Sequence, residues 1–115
     1  MAIGGVMFWL MLGVALVPAP TPVLPTKQWS DCMANYALAH YQGTDPADAI
    51  ANAAVSACAV HRGEVYDLYF IVNRRLYSYT EAPFVTGEET DRLQERLRSE
   101  LVARVEKMRS LTPQK

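Results

Sequence analysis

No charged side chain precedes Lys27, no cysteine stands outside the pair Cys32 and Cys58, and the only histidines are His40 and His61. So sparse a set of nucleophile and base partners argues against hydrolytic catalysis. The serines at 30, 56, 78, 99 and 110 lie in helical contexts without the glycine elbow that exposes a nucleophile. There is no phosphate-binding glycine loop, no paired-glycine dinucleotide fingerprint, no haem attachment motif and no internal repeat. Charge of one sign is missing as well. Eleven basic against twelve acidic residues, with pI near 6.1, supply no field that would draw in nucleic acid. The Arg74–Arg75 pair and the arginines at 92, 96 and 98 sit among acidic or aromatic neighbours and form no basic stripe. Neither an enzyme nor a nucleic-acid-binding protein is expected, and no cofactor is implied.

What the chain does have begins with apolar residues. Ala2 to Val17 is a mostly apolar run, followed by prolines at 18, 20, 22 and 25. The run is short for a spanning helix, which needs about 20 apolar residues, and long enough for the hydrophobic part of a signal peptide. No basic residue leads it, and Pro20 follows the best small-residue cleavage position, so an uncleaved signal anchor is the alternative to a cleaved leader. The expected organisation is a signal peptide or anchor over 1–19, a proline-rich linker over 20–26 and a helical domain over 27–112. The protein is then periplasmic, secreted or tethered to the membrane, with membrane contact only through residues 1–17 if these are retained.

Beyond Pro25 the apolar residues recur at helical spacing. Trp29, Cys32, Met33, Tyr36, Ala37 and His40 share a face of a first helix that ends at Gly43. Asp45, Pro46 and Asp48 mark the start of a second, alanine-rich helix. That helix is expected to continue to about Tyr79 with a bend at Gly63. The stretch from Glu64 to Thr80 is rich in strand-favouring residues. Helical spacing nevertheless gives the better apolar stripe, Val65, Leu68, Tyr69, Val72, Leu76 and Tyr79, with Asn73 and Arg74 away from its centre. Pro83 and Gly87 then break the pattern, and Thr86 with Glu89 has the spacing of a capping box opening a third helix. Its stripe is Leu93, Leu97, Leu101, Val105 and Met108. In that register Leu101 comes level with Val65, and Met108 with Cys58.

The fold class that results is all-α: a small three-helix domain in which a helical hairpin, clamped by one disulfide, receives a third amphipathic helix. The clamp follows from position. Cys32 and Cys58 are equidistant from Asp45, so in an antiparallel hairpin turning there the two sulfurs stand at the same height. A disulfide closing such a loop is worth roughly 3 kcal/mol, a large share of a small domain's stability. Zinc is the competing use of the thiols, since Cys58 and His61 are one turn apart and Cys32 could join them. The ligand set stays incomplete, because His40 lies about 12 Å along the helix from Cys32, and no metal site is expected.

The aromatic cluster after Gly63 is the richest surface feature. Tyr66, Tyr69, Phe70, Arg74 and Tyr77 form the candidate partner surface, tyrosine and arginine being what interfaces favour. The functional expectation is a small exported or membrane-tethered interaction module of the cell envelope, without catalysis, facing an unidentified protein partner or a second copy of itself. The alternative is a membrane-anchored structural protein that self-associates through its helices. A metal- or thiol-dependent enzyme is the weakest reading.

Overall fold

The computed structural model describes residues 23–112, so the expected leader or anchor over 1–19 and residues 20–22 of the expected linker lie outside the described residues, while the remainder of that linker is already helical. Four helices follow one another, with no strand among the described residues: α1 (Val23–His40), α2 (Ala47–Ala57), α3 (Ala59–Leu76) and α4 (Glu81–Leu111). The all-α expectation holds, with four helices in place of three.

α1 and α2 form the expected hairpin, and Cys32 is bonded to Cys58 with Cα atoms 6.1 Å apart. The anticipated inner face of α1 divides by depth. Trp29, Met33 and Ala37 are buried, Cys32 and Tyr36 half-buried, and His40 is exposed with its ring stacked on Tyr36. Small side chains on α2 let it approach α1 closely. Ile50, Ala51 and Ala54 are buried there, and Cys58 follows at the break after its last turn. No side chain caps the start of α2, however. Asp45 contributes only its backbone carbonyl, which accepts a hydrogen bond from Arg109 at 2.6 Å.

The break between α2 and α3 falls at Cys58, not at Gly63. Cys58 has φ −104° and ψ 19°, and His61 N donates to its carbonyl in a tightened turn. Gly63 is an ordinary residue inside α3. No described residue has a positive φ, and a Cβ added at Gly63 or Gly87 meets nothing within 4 Å. Both glycines therefore cost backbone entropy without serving a turn. Gly63→Ala and Gly87→Ala should each stabilise the fold by about 0.5–1 kcal/mol, read as a rise in the urea midpoint at unchanged slope.

α4 begins six residues earlier than its expected start near Gly87. Ser78 Oγ accepts from Glu81 N at 3.2 Å and donates to the Glu81 carboxylate at 2.6 Å, so the true start signal is Ser78 with Glu81, not Thr86 with Glu89. Pro83 is the third residue of α4, early enough in the helix for a proline to be tolerated. Thr86 lies in the helix interior, its hydroxyl donating to Ala82 O at 2.7 Å. Moving the turn moves the register. Arg62 reaches Asp91 at 2.6 Å and Gln94 at 2.8 Å, where a turn near Gly87 would have set it level with Arg104.

With 31 residues, about 46 Å of helix, α4 packs along α1, α2 and α3 alike. Leu93, Leu97, Leu101 and Val105 close the core over Trp29, Met33, Ile50, Ala54 and Val65, with Met108 packed at its edge. Its far end is fastened to the α1–α2 loop. Arg109 Nε donates to Tyr41 O at 2.7 Å, and its terminal nitrogen donates to Gly43 O at 3.1 Å and Asp45 O. One guanidinium thus satisfies three carbonyls that the end of α1 and the loop leave open. Arg109→Ala should cost about 2 kcal/mol, and Arg109→Lys should recover little of it, since an ammonium lacks the planar fork.

Candidate functional site

The expected surface residues separate once α3 is seen against α4. Tyr69 is half-buried and packs on the core, so it is structural in part. Tyr66 and Phe70 are half-buried on one side of α3, their rings parallel with centroids 6.3 Å apart. Arg74 and Tyr77 are exposed. The predicted apolar stripe is correct for its first half only. Val65 is buried and Leu68 and Tyr69 are half-buried, but Val72, Leu76 and Tyr79 face outward.

In their place Asn73 turns inward. It is 5% exposed, and its Nδ2 donates to Thr86 Oγ1 at 3.1 Å and to Glu89 Oε1 at 3.0 Å. From Asn73 onward the α3–α4 hairpin is held by Ala82, Thr86 and Thr90, all fully buried, the two threonine hydroxyls donating to the carbonyls four residues before them. Its large apolar residues lie outside. Leu76 is 72% exposed, Tyr79 90% and Phe84 67%, with Ile71 and Val72 close to half exposed. The free end of the hairpin is thus polar within and apolar without, the reverse of its base. Helical spacing alone could not place Asn73 inward. The sequence signal is the run Ala82, Thr86, Thr90, small residues every four positions that continue the leucine stripe of α4 backwards.

Asn73→Ala removes the one side chain that bridges the two helices at this end. The cost should be about 1–2 kcal/mol, because Thr86 keeps Ala82 O and Glu89 can reach water. Hydrogen exchange should accelerate from Leu76 to Ala82 while the base of the bundle keeps its protection.

Elsewhere the chemistry is spare. Beside the disulfide, a shallow groove is bordered by Gln28, Asp31, Asn35, His61 and Glu64. His61 Nδ1 is buried and stands 3.8 Å from the Glu64 carboxylate, too far for a hydrogen bond. Both sulfurs are joined to each other, so neither is a thiolate ligand, and no cluster of three or more His, Cys, Asp or Glu that could hold a metal ion occurs among the described residues. The outer face of α4 is taken up by ion pairs. Arg98 meets Glu95 at 2.8 Å and Asp48 at 3.8 Å, and Arg96 meets Glu100 at 3.8 Å. The hydrogen bond from Arg98 holds the Glu95 carboxyl below its ordinary range and raises the guanidinium in turn. Among the described residues no helix is long and apolar enough to cross a membrane. In comparison with known proteins, no family model, no curated protein and no solved structure matches the chain.

Proposed function

We propose that this chain is a small exported or membrane-tethered helical module of the cell envelope that acts by contact and not by catalysis. The disulfide-clamped bundle is the rigid base and the free end of the α3–α4 hairpin is the contact element. The observation that carries the reading is the inversion of that hairpin, with Asn73, Thr86 and Thr90 inside and Leu76, Tyr79 and Phe84 outside. Solvent-facing apolar residues so concentrated mark a surface that something covers. The disulfide supports the compartment, because such bonds persist in oxidising surroundings outside the cytosol. Self-association along α4 has less support: its apolar stripe is spent on the other three helices and its outer face is charged.

A photo-crosslinking residue placed at Tyr79 or at Phe84 in the full chain, irradiated in intact producing cells, tests the contact role. Adducts of protein or lipid should form at both positions and exceed those at Lys107, an exposed residue near the opposite end of α4. Equal labelling at all three positions removes the contact element. Alkylation of the unreduced protein recovered from the same cells should add no thiol adduct; two adducts would place the chain in a reducing compartment.

A further inference from the structure

The hairpin end carries a more specific inference, which rests on the contact reading above. We propose that it seats in the headgroup–acyl boundary of a lipid bilayer, the one that the apolar run Ala2 to Val17 of the same chain would enter.

Packing chemistry comes first. In water a helical hairpin gains by burying its apolar residues between the helices, as the base of this one does, but its free end does the opposite. In lipid the apolar residues gain nothing by turning inward. Helices there associate through small residues that permit close approach and through polar side chains bonded across the interface. Ala82, Thr86 and Thr90 with Asn73 are such a set, and Ile71, Val72, Leu76 and Phe84 form the outward counterpart.

The exposed residues at the hairpin end are apolar and basic on α3. At about 100° per residue, Val72 and Leu76 lie to one side of Asn73 and Ile71 nearly opposite it, while Arg74 lies to the other side and Arg75 shares the side of Ile71. On α4 Phe84 lies nearly opposite Ala82, with the exposed Glu81 and Glu88 near the same side. An apolar arc flanked by two exposed arginines suits a lipid surface, which offers acyl chains to the one and phosphates to the other.

The path of the chain points to the same place. The disulfide sets Cys32 level with Cys58, and Gln28 borders the same groove as Glu64. Running backwards along α1 therefore carries the chain along α3 toward Leu76. The described part of α1 starts at Val23, level with about Leu68, so Leu76 stands roughly 12 Å further on. The residues between Val17 and Val23 reach at most about 20 Å. The apolar run thus meets the bilayer within reach of the hairpin end.

Side-chain chemistry sets the depth. Tyr77 and Tyr79 have the apolar body and polar tip that suit the headgroup level, and Arg74 and Arg75, exposed and in no ion pair among the described residues, can meet lipid phosphates. The turn itself is polar. Ser78, Thr80 and Glu81 bond to one another there, at 3.3 Å between the hydroxyls and 2.6 Å to the carboxylate, which halts the hairpin at the boundary.

The test uses the full chain with its disulfide intact, reconstituted in protein-free phosphatidylcholine vesicles with and without phosphatidylglycerol. Nitroxides are attached to Tyr79→Cys, Phe84→Cys and Lys107→Cys, and collisions with oxygen and with a water-soluble nickel chelate are compared. All three positions are exposed, so each variant should fold, and circular dichroism with mass under non-reducing conditions verifies helix and disulfide. The oxygen-to-nickel ratio at 79 and 84 should be several-fold that at 107. Adding Arg74→Glu and Arg75→Glu should lower it more in the anionic vesicles than in the neutral ones. Equal ratios at all three positions overturn the proposal, as does shielding from both relaxants with spin–spin broadening that grows with protein density, the signature of a second copy. If 79 and 84 are shielded in native envelope membranes but open to nickel in protein-free vesicles, the lipid proposal falls and the contact reading stands.

Discussion

Replacing Cys32 and Cys58 together by alanine should lower the stability of the fold by about 3.5 kcal/mol, the loop-closure value for the 26 residues that the bond spans. In a domain of this size each kcal/mol moves the melting temperature by about 4–8 °C, so a fall of roughly 15–25 °C is expected. Alanine is the right probe because Cys58 is buried, and serine there would add the separate cost of an unpaired hydroxyl. The same loss should appear when a reductant is added to the unaltered protein, and should be absent when it is added to the double variant. The effect is large because the bond lies where three helices meet: Cys32 is on α1, and Cys58 is the hinge between α2 and α3. Without it, the angle between α2 and α3 rests on packing alone. A melting temperature unchanged within a few degrees would show that the bundle's apolar core carries the stability and that the bond is incidental.

Trp29→Ala should be at least as damaging, at about 3–5 kcal/mol. Trp29 is fully buried at the centre of the cluster that α1, α2, α3 and α4 share, so no single helix can move in to fill the space it leaves. Its indole nitrogen is buried and has no hydrogen-bond partner among the described residues. The side chain therefore serves as volume, and Trp29→Phe, which keeps most of that volume and loses no hydrogen bond, should cost less than half as much as alanine. Urea unfolding monitored by circular dichroism distinguishes the two. If Trp29→Phe proved as costly as Trp29→Ala, the indole N–H would have to hold a partner, and the account of Trp29 as a space-filling residue would fail.

How far the fold was legible in the sequence can be judged from particular residues. The hairpin and its bond could be read because the evidence is local: one helical period on each side and two cysteines equidistant from the turn. The leucine stripe of α4 was legible for the same reason. The start of α4 was not. Pro83 and Gly87 read as breakers, yet proline is tolerated in a first turn and a glycine inside a long helix costs only about 1 kcal/mol. The capping pair Ser78 and Glu81 was present, but the better-looking pair Thr86 and Glu89 lay just beyond it. That displacement of the turn carried the register with it, and with the register the identity of the residues that meet across α3 and α4.

The candidate surface suffered from the same limit. Tyr66, Tyr69 and Phe70 drew notice as aromatics, whereas at the hairpin end the strongly exposed apolar groups are Leu76, Tyr79 and Phe84, of which Leu76 and Tyr79 had been counted on the inward stripe. Periodicity assigns the apolar side of a helix to the core by assumption. It has no means of recognising a segment in which the assumption is reversed.

By itself, then, the sequence determined that this protein is helical and that its cysteines pair, because both depend on spacing within a few turns. Only the tertiary structure decided where α3 and α4 turn, that the chain bends at Cys58, and that Asn73 faces inward while Leu76 faces out. Those outcomes depend on which helix lies opposite which, a competition between near-equal local choices that side-chain packing across the whole bundle resolves.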